Sequence, residues 1–325
     1  MSHYASNSFL RYKLRRLFFW AIKLAIVFGA GFFIYNKLMH NDSLQFNLFY
    51  KTLKTHQILT VQNGIILGLL SALNWVLESI KWKILVSEIQ KISFLKAVAQ
   101  TFGSLTASIF TPNRIGEYGA KALYFKKEYR KRILGFTLVG NLTQLAATII
   151  FGVLGFGVFM HQFNPPISYY RIIRFCAVGL LFAYLFFTNT QKSRFKIKGY
   201  TFENLIQFFS SINNKTIIGV LLISVLRYLV FSHQFYFLLL LFGVEISYFT
   251  AMALISSLYI IVSIIPTIFI LDVLVKGSVS LWLFGFANAN EVIILTVILL
   301  MWLLNFAFPS ILGSYFVLKF KTVKK

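Results

Sequence analysis

Six charged side chains lie in segments that are otherwise apolar. Arg114, Glu117 and Lys121 fall within Thr111-Pro-Asn-Arg-Ile-Gly-Glu-Tyr-Gly-Ala-Lys121. Asp272 and Lys276 follow the uncharged run 260–271, and Arg227 interrupts Leu222-Ile-Ser-Val-Leu-Arg-Tyr-Leu-Val230. Both acid–lysine pairs are spaced i,i+4, which sets acid and base on one face of a helix. A guanidinium is a planar donor fork suited to phosphate. A carboxylate in such company pairs with a lysine, carries a proton or serves as a general base. A charged side chain at membrane depth costs about 2.5–3.5 kcal/mol on insertion scales. Residues that costly mark either a site or an interface.

The elements that position them are those of a membrane protein. The 325 residues are 58% hydrophobic and only 13% charged, about half the charged share of a soluble chain. The mean hydropathy is +0.74, and several runs approach the roughly 20 residues that span a bilayer as a helix. They lack the alternation of a transmembrane β-barrel. The expected fold is all-α: one integral membrane domain over residues 1–325, built as a polytopic helical bundle. The net charge of +23 does not point to nucleic acid, because the basic residues cluster between apolar runs, at 11–16, 126–132, 192–198 and 319–325. That is the pattern of cytoplasmic loops under the positive-inside rule, facing anionic head groups. Cys176 is the single cysteine and the five histidines are scattered, so neither a disulfide framework nor a metal site is expected. The N-terminal run resembles a signal peptide without a small-residue cleavage site and reads as an uncleaved first helix.

Crossings are expected at about 17–36, 58–86, 133–160, 171–188, 216–242 and 291–318. Broken apolar stretches cover 92–125 and 248–285, and 189–214 reads as a basic loop. With both termini and the basic segments cytoplasmic, six crossings require each broken stretch to be a re-entrant hairpin. Eight full spans give the same parity but place the basic segment 121–132 outside. Lys37, Lys51 and Lys54 fall on the wrong side in the preferred arrangement.

An internal repeat supports it. Ile92-Ser-Phe-Leu-Lys-Ala-Val-Ala99 resembles Ile246-Ser-Tyr-Phe-Thr-Ala-Met-Ala253. The alignment runs without a gap to Pro112 and Pro266, and then to Glu117 and Lys121 in one copy and Asp272 and Lys276 in the other. The repeats cover 58–160 and 216–318. The topology makes them inverted, an arrangement typical of transporters with broken helices near the midplane.

Thr111-Pro112 suits a helix start, where free N–H groups and the dipole favour an anion. Gly116 allows a backbone or head group to come close. Two readings stand. In one, Arg114 to Lys121 is part of a buried site; in the other it is an interfacial loop in which Glu117 caps a helix and pairs with Lys121. Asp272 and Lys276 likewise form either part of a site or a neutral structural pair. Arg227 is expected to face the cavity and to partner Asp272, Glu117 or a lipid phosphate. Asn74 and Glu78 share its reach, although Glu78 suits the interface beside Lys81 and Lys83 equally well. His233 and Gln234 read as interhelical hydrogen bonds, and Asn141 and Gln144 as packing groups. P-loop, nucleophile-elbow, zinc-protease and dinucleotide motifs are absent, and no cofactor is expected.

Pro112-Asn-Arg-Ile-Gly-Glu117 with Lys121 resembles the transmembrane region of lysylphosphatidylglycerol synthases and the related stand-alone flippase-like proteins. The resemblance covers nearly the whole chain, and the Pro-x-Arg-x-Gly-Glu hairpin is its most specific element. The second hairpin departs from the family's glycines and glutamate with Thr267-Ile-Phe-Ile-Leu-Asp272. The resemblance implies a domain that moves a phospholipid or lipid-linked head group between leaflets of the inner membrane. The sequence ends at Lys325 without the soluble lysine-transferring domain of the full synthases, so the chain by itself is not expected to be a lysyltransferase. Arg114, Gly116, Glu117, Lys121, Arg227, Asp272 and Lys276 are the expected substrate-binding residues, with Pro112 and Pro266 shaping the hairpins. The partner is a membrane lipid, an anionic phospholipid or a lipid-linked sugar. A separate soluble transferase and a homodimer are the protein partners left open. The alternative is a membrane-embedded lipid-dependent transferase, or its subunit, with Glu117 or Asp272 as general base.

Overall fold

The computed structural model describes residues 51–54, 60–109, 111, 114–166, 202–265 and 272–320. Among these residues the regular structure is helical throughout. Helix α1 spans Val61–Ser87, α2 Phe94–Ser108, α3 Ile115–Leu123 and α4 Arg130–Phe163. A short α5, Phe202–Ser210, precedes α6, Asn214–Leu241, followed by α7, Tyr248–Ile264, and α8, Asp272–Gly285. The final helix joins α9, Glu291–Trp302, to α10, Phe308–Lys319, through a π-helical turn at Leu303–Ala307. The expected crossings at 17–36 and 171–188, and both Pro112 and Pro266, lie outside the described residues.

Among the described residues four helices are long and apolar enough to cross a membrane: α1 with 27 residues, α4 with 34, α6 with 28 and Glu291–Lys319 with 29. The two expected broken stretches are helical pairs of 15 and 9 residues, α2 and α3, and of 17 and 14 residues, α7 and α8. At 1.5 Å per residue even the 17-residue α7 covers only about 26 Å, short of the roughly 30 Å hydrocarbon core. The basic loop expected over 189–214 is helical at Phe202–Ser210. Here Phe208 and Phe209 join the packed core, and Phe208 lies 5.3 Å from Phe136.

Local chemistry explains the helix starts. The hydroxyls of Ser93 and Ser247 accept from the backbone N–H groups of Lys96 and Thr250, each satisfying an orphan donor of the first turn. The Ile-Ser pair shared by the two halves is therefore a start signal used twice. Thr60, Asn213 and Asn290 cap α1, α6 and α9 in the same way.

The elements then pack crosswise. α1 lies against α6; α2, from the first half, packs on α10, and α7, from the second half, packs on α4. Small residues allow these approaches, as membrane helices require when lipid is as apolar as the partner helix. A Cβ on Gly155 of α4 would lie 3.1 Å from the Ala253 carbonyl oxygen of α7, and one on Gly313 of α10 would collide with the Phe102 backbone of α2. Leu154 is 65% exposed and Phe249 80%, surfaces that suit lipid rather than water.

Candidate functional site

Between the two helical pairs lies a cavity of about 530 Å³, lined by Arg114, Arg227, Asp272 and Lys276 among apolar neighbours. That size fits a small-molecule or head-group site. Four of the seven expected binding residues thus share one cavity, although they come from α6, from α8 and from the start of α3.

Arg227 comes from the middle of α6, and α1 holds it. Its Nε donates to the Asn74 carbonyl (3.2 Å) and to Asn74 Oδ1 (3.0 Å). Its Nη1 pairs with Glu78 and donates to Gln144 Oε1 at 3.1 Å. The expected partners, Asp272 and Glu117, are thus replaced by Glu78, because α1 packs directly on α6. Glu78 is buried and also pairs with Lys81 at 2.8 Å. Lys81 is 2% exposed and donates to the Gly140 carbonyl, whereas Lys83 is exposed. Glu78 therefore faces inward rather than the head-group interface. Gln144 does more than pack: it joins the cage around Arg227 and donates to the Ser224 carbonyl. Asn141 donates to the Tyr118 hydroxyl at 2.9 Å.

In the first helical pair the helix begins at Ile115, not at Thr111. Arg114 sits in the left-handed region at φ 57°, a costly choice for a residue other than glycine, asparagine or aspartate. The chain turns there before the helix can start. The Thr111 hydroxyl still caps, accepting from the Gly116 N–H at 2.8 Å. A Cβ on Gly116 would sit 2.9 Å from the Thr111 side chain and 3.2 Å from the Ala107 carbonyl oxygen. The glycine thus admits its own hairpin's backbone. Glu117 is clamped between Arg114 Nη2 (2.9 Å) and Lys121 Nζ (2.7 Å). Glu117 and Lys121 are each 2% exposed, and Lys121 also lies 4.3 Å over the Trp82 ring. Neither appears among the residues lining the cavity; they stand behind Arg114. In the second pair Lys276 Nζ bonds Asp272 Oδ2 at 2.7 Å, with both side chains partly exposed toward the cavity.

A polar ladder runs beneath. Asn305, inside the π-helical turn, accepts from Asn74 Nδ2 (2.9 Å) and donates to Gln234 Oε1 (2.7 Å). Gln234 in turn donates to the Leu67 carbonyl. A π-turn breaks the regular i→i+4 bonding, and the carbonyls it frees find side-chain donors on α1: Leu304 O accepts from Ser71, and Asn305 O from the Trp75 indole. π-turns of this kind concentrate at functional sites. The expected interhelical bond of His233 is made to the Tyr248 hydroxyl at 2.9 Å. Asn305 and Lys81 belong to this polar interior, but sequence reasoning gave neither a role. A lone asparagine in Met301-Trp-Leu-Leu-Asn-Phe-Ala307 carries no spacing signal, and Lys81 reads as an interfacial lysine.

Two donors of cavity-lining residues meet no acceptor among the described residues: the Arg114 Nε and the Trp302 indole N–H. Among the described residues no three His, Cys, Asp or Glu side chains gather as a metal site would require. The family model described as the lysylphosphatidylglycerol synthase TM region matches residues 20–313. The chain belongs to that family. Membership, with the long apolar helices, makes it an integral membrane protein and ties it to lipid modification or flippase-related work. No curated protein and no solved structure matches the chain.

Proposed function

We propose that this member of the lysylphosphatidylglycerol synthase TM family translocates an anionic phospholipid or lipid-linked head group between leaflets of the inner membrane. Both termini are cytoplasmic in this reading, and 58–160 and 216–318 act as inverted repeats around a shared site. The observation that carries the proposal is the cavity between the two helical pairs, with two guanidiniums at its wall and apolar side chains around them. Such a cavity accepts a phosphate at one end and tolerates acyl or isoprenoid chain nearby. Arg114 and Arg227 are the phosphate donors, and Gly116 and Glu117 with Lys121 hold Arg114 in place. Asp272, paired with Lys276 and reachable from the cavity, is the carboxylate suited to exchange a partner or a proton during transport.

The test is flipping of head-group-labelled anionic lipids in proteoliposomes, read with an impermeant quencher. Arg114→Ala should lose most flipping while remaining folded, because Glu117 keeps Lys121. Lys83→Ala, an exposed control, should flip normally. Full flipping by Arg114→Ala would remove the arginine from the site. No flipping by the native chain across anionic lipids, with product formed from a lipid-linked donor instead, would make the chain a transferase.

A further inference from the structure

The π-helical turn is tied to α1 twice through its backbone: Ser71 donates to the Leu304 carbonyl, and the Trp75 indole donates to the Asn305 carbonyl. Docking of the last helix on α1 therefore does not call on the Asn305 side chain. That side chain is engaged elsewhere. Its Oδ1 accepts from Asn74 Nδ2 at 2.9 Å, and its Nδ2 donates to Gln234 Oε1 at 2.7 Å and to the Met301 carbonyl at 3.3 Å.

The direction of these bonds is forced. A guanidinium only donates and a backbone carbonyl only accepts, whereas a side-chain amide does both. Arg227 Nε donates to Asn74 Oδ1 at 3.0 Å, so Asn74 turns its oxygen to the arginine and its nitrogen to Asn305. Asn305 must then answer with its oxygen and send its nitrogen on to Gln234, whose own nitrogen ends on the Leu67 carbonyl at 3.1 Å. A donor stands at one end and an acceptor at the other, and one orientation of the three amides satisfies every link. Reversing any one of them sets donor against donor and acceptor against acceptor, which is costly in such an interior.

At the cavity end the chain decides which part of Arg227 is on offer. Nε is taken by Asn74, and Nη1 by Glu78 and Gln144. Nη2 is left without a partner among the described residues, on a side chain that lines the cavity. Glu78 alone does not fix the guanidinium plane, since it holds one nitrogen and is shared with Lys81. The bond from Nε to the Asn74 side chain does, and it holds only while Asn74 keeps its oxygen turned toward the arginine.

We propose that Asn305 is a positioning residue for Arg227: acting through Asn74, it sets the plane of the guanidinium and presents Nη2 to an acceptor in the cavity. On the translocation reading above, that acceptor is a phosphate oxygen, and the effect of Asn305 on transport rests on that reading. Its effect on the geometry of Arg227 does not.

The experiment has two readouts on the full chain. One is water exchange of the Arg227 Nε–H, followed by NMR of isotope-labelled arginine in phosphatidylcholine nanodiscs, with the signal assigned by its loss in Arg227→Lys. The other is flipping of head-group-labelled phosphatidylglycerol at graded mole fractions in proteoliposomes. The variants are Asn305→Leu and Asn305→Ser, the second because a serine hydroxyl satisfies itself on the Met301 carbonyl and keeps the fold. Ser71→Ala is the control: it removes one backbone tie of the π-turn and leaves the amide chain whole. In the native protein the Nε–H should exchange slowly. Both Asn305 variants should speed that exchange on the order of tenfold and raise the half-saturating lipid fraction by a similar factor, with little change in maximal rate. Ser71→Ala should lower the thermal midpoint as Asn305→Ser does, yet keep native exchange and native half-saturation. A native Nε–H that exchanges freely overturns the cage around Arg227. Native-like exchange in both Asn305 variants shows that Asn74 holds the arginine unaided and overturns the positioning role. Equally fast exchange in Ser71→Ala shows that helix docking, not the amide chain, places Arg227. Faster exchange with unchanged half-saturation overturns the presentation of Nη2 to the lipid. Absence of flipping by the native chain removes the translocation reading, while the exchange rates still decide whether Asn305 positions Arg227.

Discussion

The two hairpins carry the same acid–lysine spacing in different surroundings. Glu117 and Lys121 are sealed, with Arg114 closing one side and Trp82 the other. Asp272 and Lys276 have 17% and 32% of their side chains exposed, toward the cavity. A sealed pair cannot exchange partners without opening the fold, so its value is positional: it fixes Arg114 in an unfavourable backbone conformation. A pair at a cavity wall can be broken by a ligand at small cost. One hairpin thus supplies a fixed donor, and the other supplies charges that can rearrange.

Substitutions at matched positions separate the two roles. Lys121→Ala leaves Glu117 buried with only Arg114, and removing one member of a buried pair costs about 3–5 kcal/mol. Loss of the folded, monodisperse protein in detergent is expected, seen as a large drop in thermal midpoint. Gly313→Leu should follow, because it drives α10 off Phe102 and overpacking costs about 1–3 kcal/mol. It should raise amine-reactive labelling of Lys121 above that of the unchanged protein, while Lys276, already partly exposed, labels as before. Lys276→Ala should cost at most about 1 kcal/mol, as for partly exposed pairs, while changing lipid flipping. If Lys276→Ala unfolds the protein as Lys121→Ala does, the two hairpins are equivalent and the contrast fails. The smallest effect belongs to Tyr248→Phe, which removes the hydroxyl near His233; an interhelical hydrogen bond in a membrane averages about 0.6 kcal/mol. A shift in thermal midpoint comparable to that of Gly313→Leu would instead mark the start of α7 as a fixed anchor.

Much of this was legible because it is local. The apolar runs give α1, α4, α6 and the last helix to within a few residues. The repeated Ile-Ser pair marks two helix starts because serine caps through its own side chain. The i,i+4 pairs form as their spacing requires. What escaped depends on packing between segments far apart in sequence. Arg227 meets Glu78, not Asp272, because α6 lies on α1, and nothing in either run announces that neighbour. The start of α3 moved from Thr111 to Ile115 because Arg114 adopts a left-handed turn, which an arginine does not advertise. Asn305 matters because a π-turn frees carbonyls around it, and that turn has no residue signature.

The π-turn has a consequence for how this helix tolerates change. Its wide turn, closed by the Phe308 N–H on the Leu303 carbonyl, accommodates one residue more than an α-helix would. Each residue in an α-helix advances the direction of its side chains by about 100°. The turn therefore sets the azimuth of α10 relative to α9, and with it the direction in which Gly313 points. A single deletion anywhere in Leu303–Ala307 would restore a regular helix. Because the turn holds that one extra residue, Gly313 would still face α2, whereas a deletion just beyond the turn would swing the glycine away and bring a bulkier side chain round to replace it. The last helix thus has one place where its length can change, which its uniformly apolar composition conceals: a residue lost within the turn is absorbed, while a one-residue indel beyond it rephases everything that follows.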